Sequence, residues 1–280
     1  MRPERLAIGT ALGSMISVQG GGSIAKYLFH LLGPAGAVIL RVGFAGIILG
    51  AVVRPKISKF TKKQWLCVIF YGASIGLMNL AFYHGIQRVP LGLGVAIEFI
   101  GPLGIALYAS RKMLDFVWIL LAATGIVCIV PWNGQGGDPA GYFFVTLAGV
   151  MWAAYIVAAG KLAGIMKSAE AVTCGMCVAT FIVLPFVIVS GDIFRFSSRL
   201  LLPGLAVAVF SSALPFSLDL FTIRKLPAKT YSVLQSLHPV FGALSGLIFL
   251  GEHLSCLQWT AILCIVSASV GTTWNCEKKN

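Results

Sequence analysis

VPLGLGVAIEFIGPLGIALYASRKMLD, residues 89–115, decides how this chain reads, because residues 226–252, LPAKTYSVLQSLHPVFGALSGLIFLGE, say nearly the same thing again. Laid at one constant offset without a gap, Pro90 falls on Pro227, Glu98 on Gln235, Pro102 on Pro239, Leu107 on Leu244 and Asp115 on Glu252. Each copy reads as an apolar helix that opens after a proline, carries one polar residue two turns in, bends at a second proline and ends before an acid. Such a repeat sets the architecture before any single motif does.

Composition places that repeat in a membrane. Hydrophobic residues make up 58% of the 280, charged residues 11%, and mean hydropathy is +0.91; soluble domains carry roughly 25% charge. Crossing a hydrocarbon core of about 30 Å takes about 20 helical residues. Ten such runs follow one another, at about 6–25, 35–53, 64–86, 91–110, 114–131, 140–160, 170–189, 200–223, 228–250 and 255–274. The expected fold is an all-α integral membrane protein of ten transmembrane helices. Residues 1–135 and 136–280 are its two five-helix copies. The first run, though led in by Arg2 and Arg5, has no convincing small-residue cleavage site after it and is read as a helix.

The lysines and arginines orient the chain. With a cytoplasmic N-terminus, sixteen fall in inside segments and four outside (Lys26, Arg88, Arg195 and Arg199), leaving Arg41 within a span. The net charge of +12 therefore reports topology, and nucleic acid is excluded as a partner. Both termini are expected in the cytoplasm. Five spans per copy is an odd number, so the second copy enters the bilayer from the opposite side, making an inverted repeat. Glycine pairs at 46 and 50, 72 and 76, and 242 and 246 lie on single helix faces and predict close helix approach. Cys174 and Cys177 read as packing residues; no cofactor or metal is expected.

Polar groups inside spans are few, and each is costly without a partner or a wet cavity. Glu98 lies roughly 10 Å into the fourth span at about 1.5 Å per residue, with Arg41 at similar depth in the second. The two are candidate charge partners, either as a structural clamp or with Glu98 exchanging a proton. Asp219 near the end of the eighth span has Arg224 within reach as a partly solvated pair. Pro102 frees the carbonyl of Glu98 and Pro239 that of Gln235, so both copies gather hydrogen-bonding capacity at matched points beside predicted kinks. Bare backbone at that depth must face protein or water, and both points are expected to face a central chamber. Its other candidate walls are Gln19, Asn79, Tyr83, Trp152, Tyr155, Tyr231 and His238, which recur at helical spacing with small residues; the same stripes serve equally as interhelical glue.

Ile97-Glu98-Phe99-Ile100-Gly101-Pro102-Leu103, Ser211 to Asp219 (SSALPFSLD) and Ile248 to Glu252 (IFLGE), set in the two-copy pattern, resemble the drug/metabolite transporter superfamily of EamA type. Within it the chain is most similar to the threonine and homoserine exporters of bacterial inner membranes. That resemblance implies ten helices in two inverted repeats, alternating access, and proton-driven export of small amino acids, with Glu98 and Asp219 in the places of family acids. Import of a nutrient or cofactor-like metabolite by the same fold is the alternative. Intramembrane catalysis is disfavoured, since the four histidines are scattered and no acid pair or metal-spaced cluster appears inside a span.

Overall fold

The computed structural model describes residues 3–109, 117–118, 120–121, 124–125, 138–215, 218, 222 and 234–276, and every regular element among them is helical. The first helix, α1 (Pro3–Val53), holds 51 residues, enough for about 75 Å at 1.5 Å per residue and too long for one crossing. It breaks at Gly33, whose φ of 71° and ψ of 166° leave the helical region, just ahead of Pro34. Glycine takes that positive φ without strain, and proline suits the first turn of a new helix. The first two predicted spans are therefore limbs 3–32 and 34–53, joined at a break rather than by a loop. Asp192, far away in sequence and buried, supplies the missing cap: its carboxylate accepts from Gly36 N at 3.4 Å.

The remaining helices are α2 (Lys62–Ile86), α3 (Leu91–Glu98), α4 (Ile100–Ala109), α5 (Pro139–Ala163), α6 (Ser168–Val189), α7 (Leu201–Ala208), α8 (His238–Leu250) and α9 (Cys256–Cys276). Local sequence explains several starts. Thr61 and Gln64 form a reciprocal capping box on α2, and Asp138 accepts from Ala140 N with Pro139 opening α5. A wide π turn, Val209–Ala213, follows α7. The six described residues of the predicted span 114–131 are helical, and the rest of that span lies outside the described residues.

Both signature stretches break where the proline argument says they must. The first parts at Phe99, three residues before Pro102, and the second at residues 236–237, just before Pro239. Under the offset read from sequence, Phe99 falls on Ser236, so the interruptions are equivalent.

Polar contacts sort the helix ends. Lys26 Nζ donates to Glu252 and to Val89 O (3.1 Å), Leu91 N donates to Glu252 (2.7 Å), and Arg88 pairs with Asp138 at 3.1 Å. Elsewhere Thr10 meets Thr222 at 2.9 Å, and Gln64 Nε2 donates to Ile165 O at 2.7 Å.

Helices from before residue 110 pack chiefly against helices from after residue 138: α2 against α5 and α6, α1 against α6, α7 and α8, α3 against α8 and α5, α4 against α5 and α9. Glycines permit it. A Cβ on Gly72 would strike Val178 and Gly175 O, one on Gly76 would crowd Ala179, and one on Gly242 would crowd Val95. Gly46 touches Cys177, but around Gly50 there is open space, and Gly246 meets the Glu252 carboxylate rather than another helix. The outer surface is apolar, with Val189 88% and Leu202 77% exposed, as suits lipid contact and not water. Four helical segments are long and apolar enough to cross a bilayer: Leu6–Val53, which the break divides, Lys62–Ile86, Pro139–Leu162 and Ser168–Val189.

The tightest crossing joins α4 to α5, where a Cβ on Gly101 would collide with Gly149 O. Gly101→Ala should destabilise the protein by about 1–3 kcal/mol. Gly104→Ala, where nothing lies within 4 Å, should leave it unchanged. Thermal unfolding of both variants in detergent checks the contrast.

Candidate functional site

The site forms around the break at Phe99. Pro102 cannot donate back to Glu98, and the carbonyl so released turns onto α5: a Cβ on Gly149 would stand 2.8 Å from Glu98 O. The hydrogens of Gly149 and Gly101 take those places, giving weak Cα–H···O contacts between the two backbones. This corrects the expectation that the freed carbonyl faces an open chamber. It is answered by protein. The Glu98 side chain is buried, 8% exposed.

One turn beyond Gly149, Trp152 meets Phe99 edge-on at 5.8 Å and His238 edge-on at 6.1 Å. His238 opens α8 directly after the second break, and Gln19 Nε2, from α1, donates to its Nδ1 at 3.3 Å. Gln235 lies half-buried one turn before His238. Gln19, Glu98, Trp152, Gln235 and His238, drawn from four helical stretches, thus surround the two matched interruptions.

The other candidates make contacts of their own. Tyr155 stacks on Tyr71 with ring centroids 5.2 Å apart. Asn79 is buried, and its amide donates back to Ile75 O of its own helix at 2.8 Å, which makes it less a cavity wall than sequence spacing suggested. Tyr83 is fully buried beneath Arg41. Tyr231 and Asp219 lie outside the described residues.

Arg41 and Glu98 do not form the direct ion pair read from their matched depth. Among the described residues the ion pairs are Lys26–Glu252, Arg88–Asp138 and Arg195–Asp192. Arg41 instead donates through Nε to Ser212 Oγ (3.1 Å), through Nη1 to Tyr83 OH (3.2 Å) and through Nη2 to Ser211 O (3.0 Å). Depth along a helix fixes how far a residue sits in the bilayer but not which way it points, and Arg41 points at the π turn. Sequence reading missed Ser211 and Ser212 as its partners. Their place in SSALPFSLD was the available signal, since two adjacent serines in a span need hydrogen-bond partners.

A groove of about 580 Å³ runs beside this centre, lined among others by Ser17, Gly20, Gly21, Phe210, Leu214 and Phe249. Exposed Ile16 and Tyr27 line it too, so it opens sideways and is not the central chamber expected from the sequence.

Comparison with known proteins places this geometry. Residues 139–274 match the EamA-like transporter family. The threonine/homoserine exporter RhtA of Escherichia coli (strain K12) is 40% identical over 280 residues, covering 99% of this chain and 95% of that protein. The chain belongs to the EamA-like transporter family. RhtA of Salmonella typhimurium (strain SL1344) is 42% identical over 97% of this chain and 92% of its own. The uncharacterized inner membrane transporter YedA of Escherichia coli (strain K12) is 25% identical over 82% and 78%. A crystal structure at 16% identity shares the fold, with a TM-score of 0.63 over 98% of both chains. The protein is thus a multi-pass membrane transporter rather than an enzyme, and among its described residues no group of His, Cys, Asp and Glu could hold a metal ion.

Gln19→Leu should strand the buried His238 imidazole without its partner and cost about 1–3 kcal/mol. A lowered unfolding temperature checks it, with Ile16→Val, exposed on the groove side, as the neighbouring control.

Proposed function

We propose that this protein is an inner-membrane secondary transporter that exports small amino acids of the threonine and homoserine kind in exchange for protons. The near full-length 40% identity to a named threonine/homoserine exporter carries the reading. The burial of Glu98 at the centre of the broken-helix site supports the proton's part in it.

The architecture behind this reading is ten helices in two inverted five-helix repeats, residues 1–135 and 136–280, with both termini cytoplasmic. The equivalent breaks at Phe99 and 236–237 and the distribution of basic residues support it. Alternating access then moves the helices around the breaks. Because the copies interdigitate, each moving unit contains helices from both; swinging one copy whole against the other would tear the glycine contacts between α2 and α6.

Within that cycle Glu98 is the proton site. A charge in a spanning helix costs about 3 kcal/mol unless water or a cation reaches it, so the protonation of Glu98 follows which side of the membrane the chamber opens to. Trp152, Gln19, Gln235 and His238 offer the substrate aromatic surface and amide and imidazole groups, Tyr155, Tyr83 and Asn79 are further candidate walls, and Pro102 and Pro239 keep the gating helices breakable.

In proteoliposomes, Glu98→Gln should retain threonine counterflow while losing the acceleration that an imposed pH gradient gives the unaltered protein. An undiminished response to the gradient would remove the proton role. Failure of the unaltered protein to exchange any small amino acid would remove the substrate assignment.

A further inference from the structure

Arg41 is an arginine held within a membrane-spanning limb, and among the described residues it forms no ion pair. A guanidinium carries five N–H groups, and the bonds to Ser212 Oγ, Tyr83 OH and Ser211 O use three of them, one on each nitrogen. One donor therefore remains on each terminal nitrogen, the pair of nitrogens whose fork can match the two oxygens of a carboxylate. All three partners are neutral, so none offsets the charge. The guanidinium is half-buried, not sealed. Its orientation is fixed: Tyr83 is fully buried with its ring 5.6 Å from Arg41 Cζ, and Ser211 and Ser212 are buried in the π turn.

Glu98 is close enough for the charge of Arg41 to act on it, yet the two lie beyond the 4.0 Å of an ion pair. An arginine bound only by neutral partners, with a carboxyl group near it but not paired, suits a ligand carrying both signs, and an α-amino acid holds an ammonium and a carboxylate on one carbon. We infer that Arg41 receives the carboxylate of the transported amino acid through its two remaining N–H groups, with Tyr83 and the Ser211–Ser212 turn as positioning residues. This rests on the amino-acid reading given above. The competing account is that Arg41 only ties α1 to the π turn.

Counterflow of labelled threonine into proteoliposomes separates the two, with competition by threonine and by threoninol, in which a hydroxymethyl group replaces the carboxylate. The unaltered protein should be inhibited by threonine and not by threoninol. Arg41→Lys keeps the charge but loses the fork, and should raise the half-saturating threonine concentration about tenfold or more; Arg41→Gln should raise it further. Unchanged half-saturation in Arg41→Lys, with only a lowered maximal rate or unfolding temperature, would make the residue structural and overturn the proposal. Equal inhibition by threoninol would overturn it as well. Should the protein ignore threonine and homoserine but bind other amino acids in an Arg41-dependent way, measured as thermal stabilisation, the carboxylate site would stand and the proposed substrates would fall. Should it bind only carboxyl-free solutes, both would fall.

Discussion

Lipid offers no hydrogen bonds, so every interruption of a spanning helix strands backbone groups that the protein itself must answer. Here the answers come across the two halves of the chain. The break at Gly33 is capped by Asp192, and the carbonyl freed at Glu98 is covered by Gly149. Around the π turn, Ser17 donates to Phe210 O at 2.6 Å, Ser14 to Pro215 O at 3.3 Å and Arg41 to Ser211 O. The first amide of α3 is taken by Glu252. A helix broken in one half is completed by a side chain or a glycine of the other. That dependence explains why the halves interdigitate: as separate lobes, each would expose its interruptions to acyl chains.

Much of this was legible in the sequence, and what was legible was what short-range physics determines. Run lengths gave the long apolar helices among the described residues, and the proline rule gave the two breaks to within a turn, because the lost hydrogen bond is local to residues 98–102 and 235–239. The matched positions of Glu98 and Gln235 also survive in the structure. What sequence could not supply was azimuth and partner. Arg41 and Glu98 share a depth, yet Arg41 faces serines some 170 positions away in the chain. Asp192 reads as a loop acid and is a cap for a helix that begins before residue 40. Asn79 looks like a cavity wall on spacing, but a short amide can satisfy itself on its own helix. Gly149 carries no pattern of its own, and becomes informative only when Glu98 O is seen against it.

The contacts also divide by how easily they part. Glycine-on-backbone crossings such as Gly72 against Gly175 gain dispersion over a close, shaped surface and resist sliding. The Lys26–Glu252 pair is different in kind. It is partly exposed, with side chains 21% and 15% accessible, and it ties α1, the start of α3 and the end of α8 at one end of the bundle. Water reaching such a pair weakens it without leaving any group unsatisfied. In the proposed cycle, motion is therefore easiest at the charged end contacts and hardest along the glycine seams, and the broken helices lie where the two kinds meet.

The pairing of Glu98 with Gln235 gives the repeat its chemical direction. In the proposed two-copy architecture Glu98 and Gln235 stand at equivalent positions beside the two breaks, and a second acid at 235 would put like charges in one low-dielectric region, where each disfavours ionisation of the other. Glutamine keeps the size and hydrogen-bonding capacity of the position without a charge. The consequence is one buried acid, not two, at the paired breaks, so that a change in its protonation alters the balance of charge around Arg41 and His238 on one side of the centre only. In the proposed proton-coupled cycle, inverted copies would give the bundle two mirrored arrangements, and asymmetry at this one pair of residues would set those arrangements apart in energy when a proton arrives.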